Sequence, residues 1–114
     1  MTITLNKDAL DNAEKLIKAG KAVHDERDDW SEHAPSTSDE NAFIEKHGYD
    51  EYAKWHLGVD KSQSHDTKGR YSFPFGDFAK VHRCAVISLE SRAAQNDYSS
   101  IAKAAKALLE KIDE

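Results

Sequence analysis

The chain has 114 residues, of which 39% are hydrophobic and 32% charged, and its net charge at pH 7 is −5. This length fits one domain with one core, and two Trp, four Tyr and four Phe residues exclude a disordered composition. The single cysteine excludes an internal disulfide, a zinc ribbon and a redox pair. We therefore expect a single helical domain spanning residues 1–114.

The N-terminal stretch lacks the basic and apolar regions of a secretory signal. No apolar run is long enough to span a bilayer. A lone cysteine is also typical of a protein in a reducing compartment. These features predict a cytoplasmic protein that does not contact a membrane.

Charge is distributed unevenly along the chain. Residues 24–51 contain ten acidic and two basic residues, a net charge of −8, whereas residues 52–111 contain ten basic and six acidic residues, a net charge of +4. Attraction between the two halves is the simpler interpretation, and an acidic surface that meets a basic partner is the alternative. The candidate acidic docking patch comprises Asp25, Glu26, Asp28, Asp29 and Glu32.

The first helix is the most clearly marked element. Asn6 suits the N-cap position, and Leu5 and Leu10 lie at the two positions of a hydrophobic staple. Apolar residues then recur on one helical face, and Gly20 suits the position after the last turn. The pattern predicts a helix over Lys7–Ala19.

The next third of the chain carries weaker signals. Lys21–Val23 could form a short strand, and Trp30 would anchor the charged loop that follows. Thr37–Glu40 reads as a capping box that opens a second helix, which would stop at Gly48. A short third helix is predicted from Asp50 to Leu57, held by its aromatic side chains.

The second half contains most of the aromatic residues. We interpret Val59–Arg70 as an exposed polar loop and Tyr71–Phe78 as an extended aromatic segment across the helices, since Pro74 argues against a central strand. Asp77 would cap a fourth, largely buried helix, and an amphipathic helix would end the chain. The predicted fold is mainly α: a compact bundle of four to five helices with one extended aromatic segment.

Six histidines raise the question of a metal centre. No His-x-x-x-His pair and no H-E-x-x-H motif occurs, and His65 beside Asp66 is the one locally suggestive pair. Cys84 lies among apolar residues, which is typical of a buried thiol rather than a nucleophile. We therefore predict no catalytic residue, no metal site and no cofactor.

A set of basic and histidine side chains surrounds the aromatic segment. Basic residues interleaved with exposed rings can bind single-stranded nucleic acid. The negative net charge disfavours that interpretation, and the rings are explained more simply as core. The candidate binding residues are His56, His65, Asp66, Lys68, Arg70, His82 and Arg83.

One stretch carries a resemblance to known proteins. Lys68, Gly69, Tyr71, Phe73, Pro74, Asp77, Phe78, Arg83, Ala85, Val86 and Ile87 carry it. The second half of the chain resembles a family of small uncharacterised bacterial proteins, and the stretch is more loosely similar to helical segments of phage prohead-protease and capsid-maturation proteins. The resemblance implies a helical module, and it implies no activity, since no serine is placed beside a histidine as a protease would require.

The leading hypothesis is a non-enzymatic interaction module with an unknown protein partner, present as a monomer or homodimer and consistent with a prophage origin. Residues 24–51 or the Tyr71–Phe78 segment would be its docking surface. One alternative is a small-molecule or metal-dependent enzyme whose His/Arg site lies between the Val59–Arg70 loop and the helix after Asp77. The other is nucleic-acid binding, or acidic mimicry of nucleic acid.

Overall fold

The computed structural model describes residues 3–25, 30 and 34–114. The helices of this part of the chain are α1 (Lys7–Lys18), α2 (Thr37–Ala53), α3 (Arg83–Gln95) and α4 (Ser99–Ile112). The strands are β1 (Ile3–Leu5), β2 (Ala22–Val23), β3 (His56–Asp60), β4 (Tyr71–Pro74) and β5 (Val81–His82). A 3₁₀-helix at Lys68–Arg70 precedes β4. No helix among these residues is long and apolar enough to cross a bilayer.

The strands form two sheets. In the larger sheet β3 lies between β1 and β4 and is antiparallel to both, with Ile3 opposite Asp60 and Val59 opposite Tyr71. In the smaller sheet β2 and β5 are parallel, with Val23 opposite His82. The prediction of a mainly α bundle is therefore wrong, because the fold is a mixed α/β structure in which an antiparallel sheet packs with the helices.

The largest error concerns β3. The predicted third helix ended at Leu57 and the predicted loop began at Val59, yet both residues belong to one strand. All five residues of β3 are buried, because β1 and β4 cover its edges and other elements cover its faces. Pairing with two distant strands thus outweighs the weak local preference for a helix or loop.

The aromatic segment is also paired rather than laid across helices. Tyr71–Pro74 forms an edge strand, where Pro74 is tolerated because one side of the strand needs no donor. Asp77 closes a turn instead of capping a helix: its Oδ1 accepts hydrogen bonds from the backbone N–H groups of Ala79 and Lys80. The helix predicted from this point begins only at Arg83.

Other predictions hold. The first helix is confirmed, with Asn6 at its N-cap, and the short strand at residues 22–23 is confirmed as β2. The capping box lies one residue earlier than expected, between Ser36 and Asp39. Gly48 adopts the non-helical angles φ 84° and ψ 170°, a conformation that favours glycine, so two helical segments of α2 meet at a kink there and the predicted helix stop at Gly48 is confirmed.

The main core lies between the sheet and the helical hairpin formed by α3 and α4. Fully buried side chains from both helices meet Phe75 and Leu57 there. The helix residues involved are Val86, Leu89, Ala93, Ile101, Ala105 and Leu108. A smaller cluster joins Tyr52 of α2 to Val59 and Tyr71 of the larger sheet. Three rings of the predicted docking segment, Tyr71, Phe73 and Phe75, are buried in these clusters, and the fourth, Phe78, is partly buried and stacks on Phe43.

Gly58, in the middle of β3, offers a test of the sheet. A Cβ atom at this position would lie 2.5 Å from Ser72 Oγ and 2.7 Å from Phe73 Cδ2, too close for either buried neighbour. We expect Gly58→Ala to lower the free energy of unfolding by about 1–3 kcal/mol, as overpacking does, measured by urea denaturation. Gly69→Ala is the matched control, since its nearest neighbour would lie at 3.8 Å. Equal stability of the two variants would contradict this packing.

Candidate functional site

An open cleft of about 570 Å³ lies between the start of α1, the end of α2 and the loop between β3 and β4. Its lining residues are Leu5, Asn6, Lys7, Asp8, Asp50, Ala53, Lys54, Val59, Lys61, His65, Arg70 and Tyr71. We call it the basic cleft, because four of these side chains are cationic and two are acidic. A local excess of positive charge is notable on a chain whose net charge is −5.

Asn6 holds two walls of the basic cleft together. Its backbone N–H donates to Leu57 O at 2.7 Å. Its side-chain amide does not cap α1, but donates to Ala53 O at 3.0 Å and His56 O at 3.2 Å. The start of α1 is thereby fixed to the chain between α2 and β3.

The cationic side chains of the cleft differ in how far they are engaged. Lys54 forms an ion pair with Glu51 at 2.8 Å, and Arg70 Nη1 donates to Gln63 O at 2.9 Å. Lys7 and Lys61 are exposed and form no ion pair with any residue that the structure describes. These two ammonium groups are therefore available to a ligand.

His65 lies at the cleft edge between two carboxylates. Its Nε2 is 2.7 Å from Asp50 Oδ1 and its Nδ1 is 2.8 Å from Asp66 Oδ1. The hydrogen bonds to Asp66 and Asp50 raise the pKa of His65. When it is protonated, His65 offsets one of the cleft's two acids, and with both ring nitrogens occupied it is a poor general base.

Two predicted site residues near the cleft, His56 and Lys68, are bound to other groups of the protein. His56 is buried, and its Nδ1 donates to Tyr52 O at 2.9 Å. Burial lowers the pKa of His56 to about 4, so this ring is neutral at physiological pH. Lys68 is 3.5 Å from Glu40 Oε1, and the other oxygen of Glu40 accepts a hydrogen bond from the Tyr52 hydroxyl.

His82 belongs to a second group of polar side chains, which we call the His82 cluster: Asp25, Asp77, His82 and Cys84. His82 Nδ1 is 2.7 Å from Asp25 Oδ2, and Nε2 is 2.8 Å from Asp77 Oδ2. Burial alone would lower the pKa of His82, but the two carboxylates outweigh it and raise the pKa. The Trp30 ring lies 5.6 Å from the imidazole ring, centroid to centroid.

Asp25 connects the His82 cluster to the start of α3. Its Oδ1 accepts a hydrogen bond from the backbone N–H of Cys84 at 2.8 Å, which satisfies a free donor of the first helical turn. Burial would raise the pKa of Asp25, but hydrogen bonds from Cys84 and His82 lower it. Its side chain is 6% exposed, so Asp25 does not contribute to an acidic docking surface. The other four residues of the predicted patch lie outside the described residues.

The predicted binding residues thus separate into groups with different partners. His65 and Arg70 line the basic cleft, and Asp66 binds His65. His82 binds Asp25 and Asp77, while Arg83 donates to both oxygens of Asp113, at 2.8 and 3.1 Å. The enzyme hypothesis placed its site between the Val59–Arg70 loop and a helix that begins after Asp77, but α3 begins only at Arg83.

Sequence reasoning missed Lys7, Lys54 and Lys61 as cleft residues, and it did not connect Asp25 with His82. Both groupings depend on strand pairs between residues more than 50 positions apart. The sequence signal for β1 was weak: apolar and polar residues alternate only over Ile3, Thr4 and Leu5, which is short for a strand.

In comparisons of the chain with protein-family models, curated proteins and solved structures, nothing matched. The resemblance to small bacterial proteins and phage capsid-maturation proteins stays a prediction. Function must therefore be argued from the site itself.

Because His56 is buried and neutral, we expect the free energy of unfolding to fall at acidic pH. Between pH 6.5 and 4 the unfolded chain binds a proton at this position and the folded chain does not, so stability falls as pH falls through this window. From about pH 7 to about pH 5 the loss is about 2 kcal/mol from this group. His56→Asn keeps a donor for Tyr52 O and removes the titration.

The measurement is urea denaturation of both chains across this pH range. The difference in unfolding free energy between wild type and His56→Asn should shrink as the pH falls, because only the wild type loses this contribution. A difference that stays constant with pH would show that His56 titrates alike in the folded and unfolded states.

Proposed function

We propose that this chain is a non-enzymatic, cytoplasmic interaction module that binds an acidic segment of a partner protein in the basic cleft. The observation that supports it is that Lys7 and Lys61, which form no ion pair with a described residue, lie beside Lys54 and Arg70 in one concavity. Carboxylates of a partner would find complementary charge there, which steers association and fixes register. A prophage origin, to which the resemblance points, belongs to the same proposal.

A binding role is favoured over catalysis by the state of the titratable groups. His65 is the histidine among the cleft-lining residues, and carboxylates occupy both of its ring nitrogens. Cys84 is buried away from solvent. An acid–base or nucleophilic mechanism needs such a group within reach of a substrate, with a free lone pair or thiolate.

A protein segment is favoured over nucleic acid by the position of the aromatic rings. Single-stranded nucleic acid binds where bases can stack on exposed rings along a basic groove. Here Tyr71 and Phe73 are 8% and 4% exposed, and the cationic groups gather in one cleft rather than along a stripe. An acidic peptide needs only the charges and an opening of this size.

The test is binding of a fluorescent glutamate-rich peptide to the full chain, measured by anisotropy at several salt concentrations. Lys7→Glu/Lys61→Glu should weaken binding by about tenfold or more, since two favourable charge contacts become repulsive at roughly 1 kcal/mol each. Lys103→Glu/Lys106→Glu, on the exposed side of α4, changes the net charge equally and should bind like wild type.

Two outcomes would contradict the proposal. Equal weakening by both double variants would show a response to net charge rather than to the cleft. Preferential binding of a single-stranded oligonucleotide of the same charge over the peptide would replace the acidic protein partner with nucleic acid.

A further inference from the structure

The His82 cluster brings three metal-ligating groups together. A carboxylate oxygen of Asp25, a ring nitrogen of His82 and Sγ of Cys84 all lie within 4.8 Å of one another. Two segments far apart in sequence supply them, and the parallel pairing of β2 with β5 brings these segments side by side. We propose that Asp25, His82 and Cys84 form a Zn²⁺-binding site, which revises the expectation from sequence of no metal site.

The donor set is selective for the kind of ion. Zn²⁺ is bound in proteins by thiolate, imidazole and carboxylate groups, usually four in tetrahedral geometry. A thiolate and an imidazole disfavour Mg²⁺ and Ca²⁺, which prefer oxygen ligands. Three side chains leave one position of a tetrahedral ion for water.

Asp77 supplies the support that a metal-bound histidine ordinarily has. Such a histidine donates its other ring N–H to a carboxylate, which fixes the orientation of the ring. Asp77 Oδ2 lies 2.8 Å from His82 Nε2, and its Oδ1 is held by two backbone N–H groups of the turn at Ala79 and Lys80. Nδ1 is thereby directed toward Asp25, the first of the proposed ligands.

Metal binding would be coupled to proton release at this buried site. In the metal-free cluster, His82 Nδ1 lies 2.7 Å from Asp25 Oδ2, and the backbone N–H of Cys84 donates to Asp25 Oδ1 at 2.8 Å. Zn²⁺ would be held by Nδ1 of a neutral imidazole, the thiolate and the carboxylate, and the negative charges of the thiolate and the carboxylate would balance the charge of the ion. The first turn of α3, where Cys84 lies, also favours a thiolate.

His65 provides a control within the same molecule. Carboxylates bracket it as they bracket His82, at 2.7 and 2.8 Å, but its side chain is 51% exposed and no sulfur atom of the described residues joins the two carboxylates around it. A metal that binds any histidine–carboxylate group would bind His65 as well. A metal that needs the thiolate would bind only at the His82 cluster.

The experiment titrates the metal-free full chain with Co²⁺, followed by competition with Zn²⁺. Because the chain contains one cysteine, a thiolate-to-cobalt charge-transfer band identifies Cys84 as a ligand in the wild type itself. We expect the band at a ratio of one ion per chain, its loss in Cys84→Ser, and Zn²⁺ binding weaker by about 10–100-fold in Asp77→Asn. His65→Asn should bind both metals like wild type.

Absence of the charge-transfer band at saturating Co²⁺ in the wild-type chain would overturn the proposal, whether or not any variant folds. An equal loss of Zn²⁺ affinity in His65→Asn and Asp77→Asn would also overturn it. Circular dichroism of each variant before titration separates loss of the site from loss of the fold.

Discussion

The pairing of β3 with two partner strands is the constraint on which the other features depend. Its five residues are buried between β1 and β4, and each edge is satisfied by backbone hydrogen bonds. Without β1, the edge of β3 facing it would present unpaired donors and acceptors. The β1 pair also fixes the start of α1, because Asn6 follows β1 directly and binds Leu57 O. One strand therefore determines where the first helix lies.

The basic cleft is a consequence of the same arrangement. Lys7 is the first residue of α1, Lys54 follows α2 and Lys61 follows β3, so these three lysines lie at the ends of elements that surround the central strand. Placing these charges at element ends rather than on helix faces leaves them around a common opening. The repulsion among them is moderate because Glu51 forms an ion pair with Lys54 and because Asp8 and Asp50 line the same cleft.

Local signals were sufficient for some elements and insufficient for others. The staple around Asn6 and the apolar period of α1 and α4 are properties of neighbouring residues, so those helices could be predicted. His56–Asp60 has only five residues, and its identity as a strand depends on Ile3–Leu5 and Tyr71–Pro74. The meeting of Asp25 with His82 likewise depends on a two-residue parallel pair. Such contacts leave little trace in a single sequence, which is why the cleft and the His82 cluster were not foreseen.

His65 and His82 have similar hydrogen-bond partners but differ in burial, and this difference gives the two histidines different roles. Both imidazoles lie between two carboxylates at nearly equal distances. At the exposed His65 water screens these charges, so the group adjusts the electrostatics of the cleft edge. At His82 the side chain is 5% exposed, and unpaired charge would be costly there, so its groups must be matched. A divalent ion held by Asp25, His82 and Cys84 would meet that requirement, and Cys84 supplies the one ligand that the group around His65 lacks.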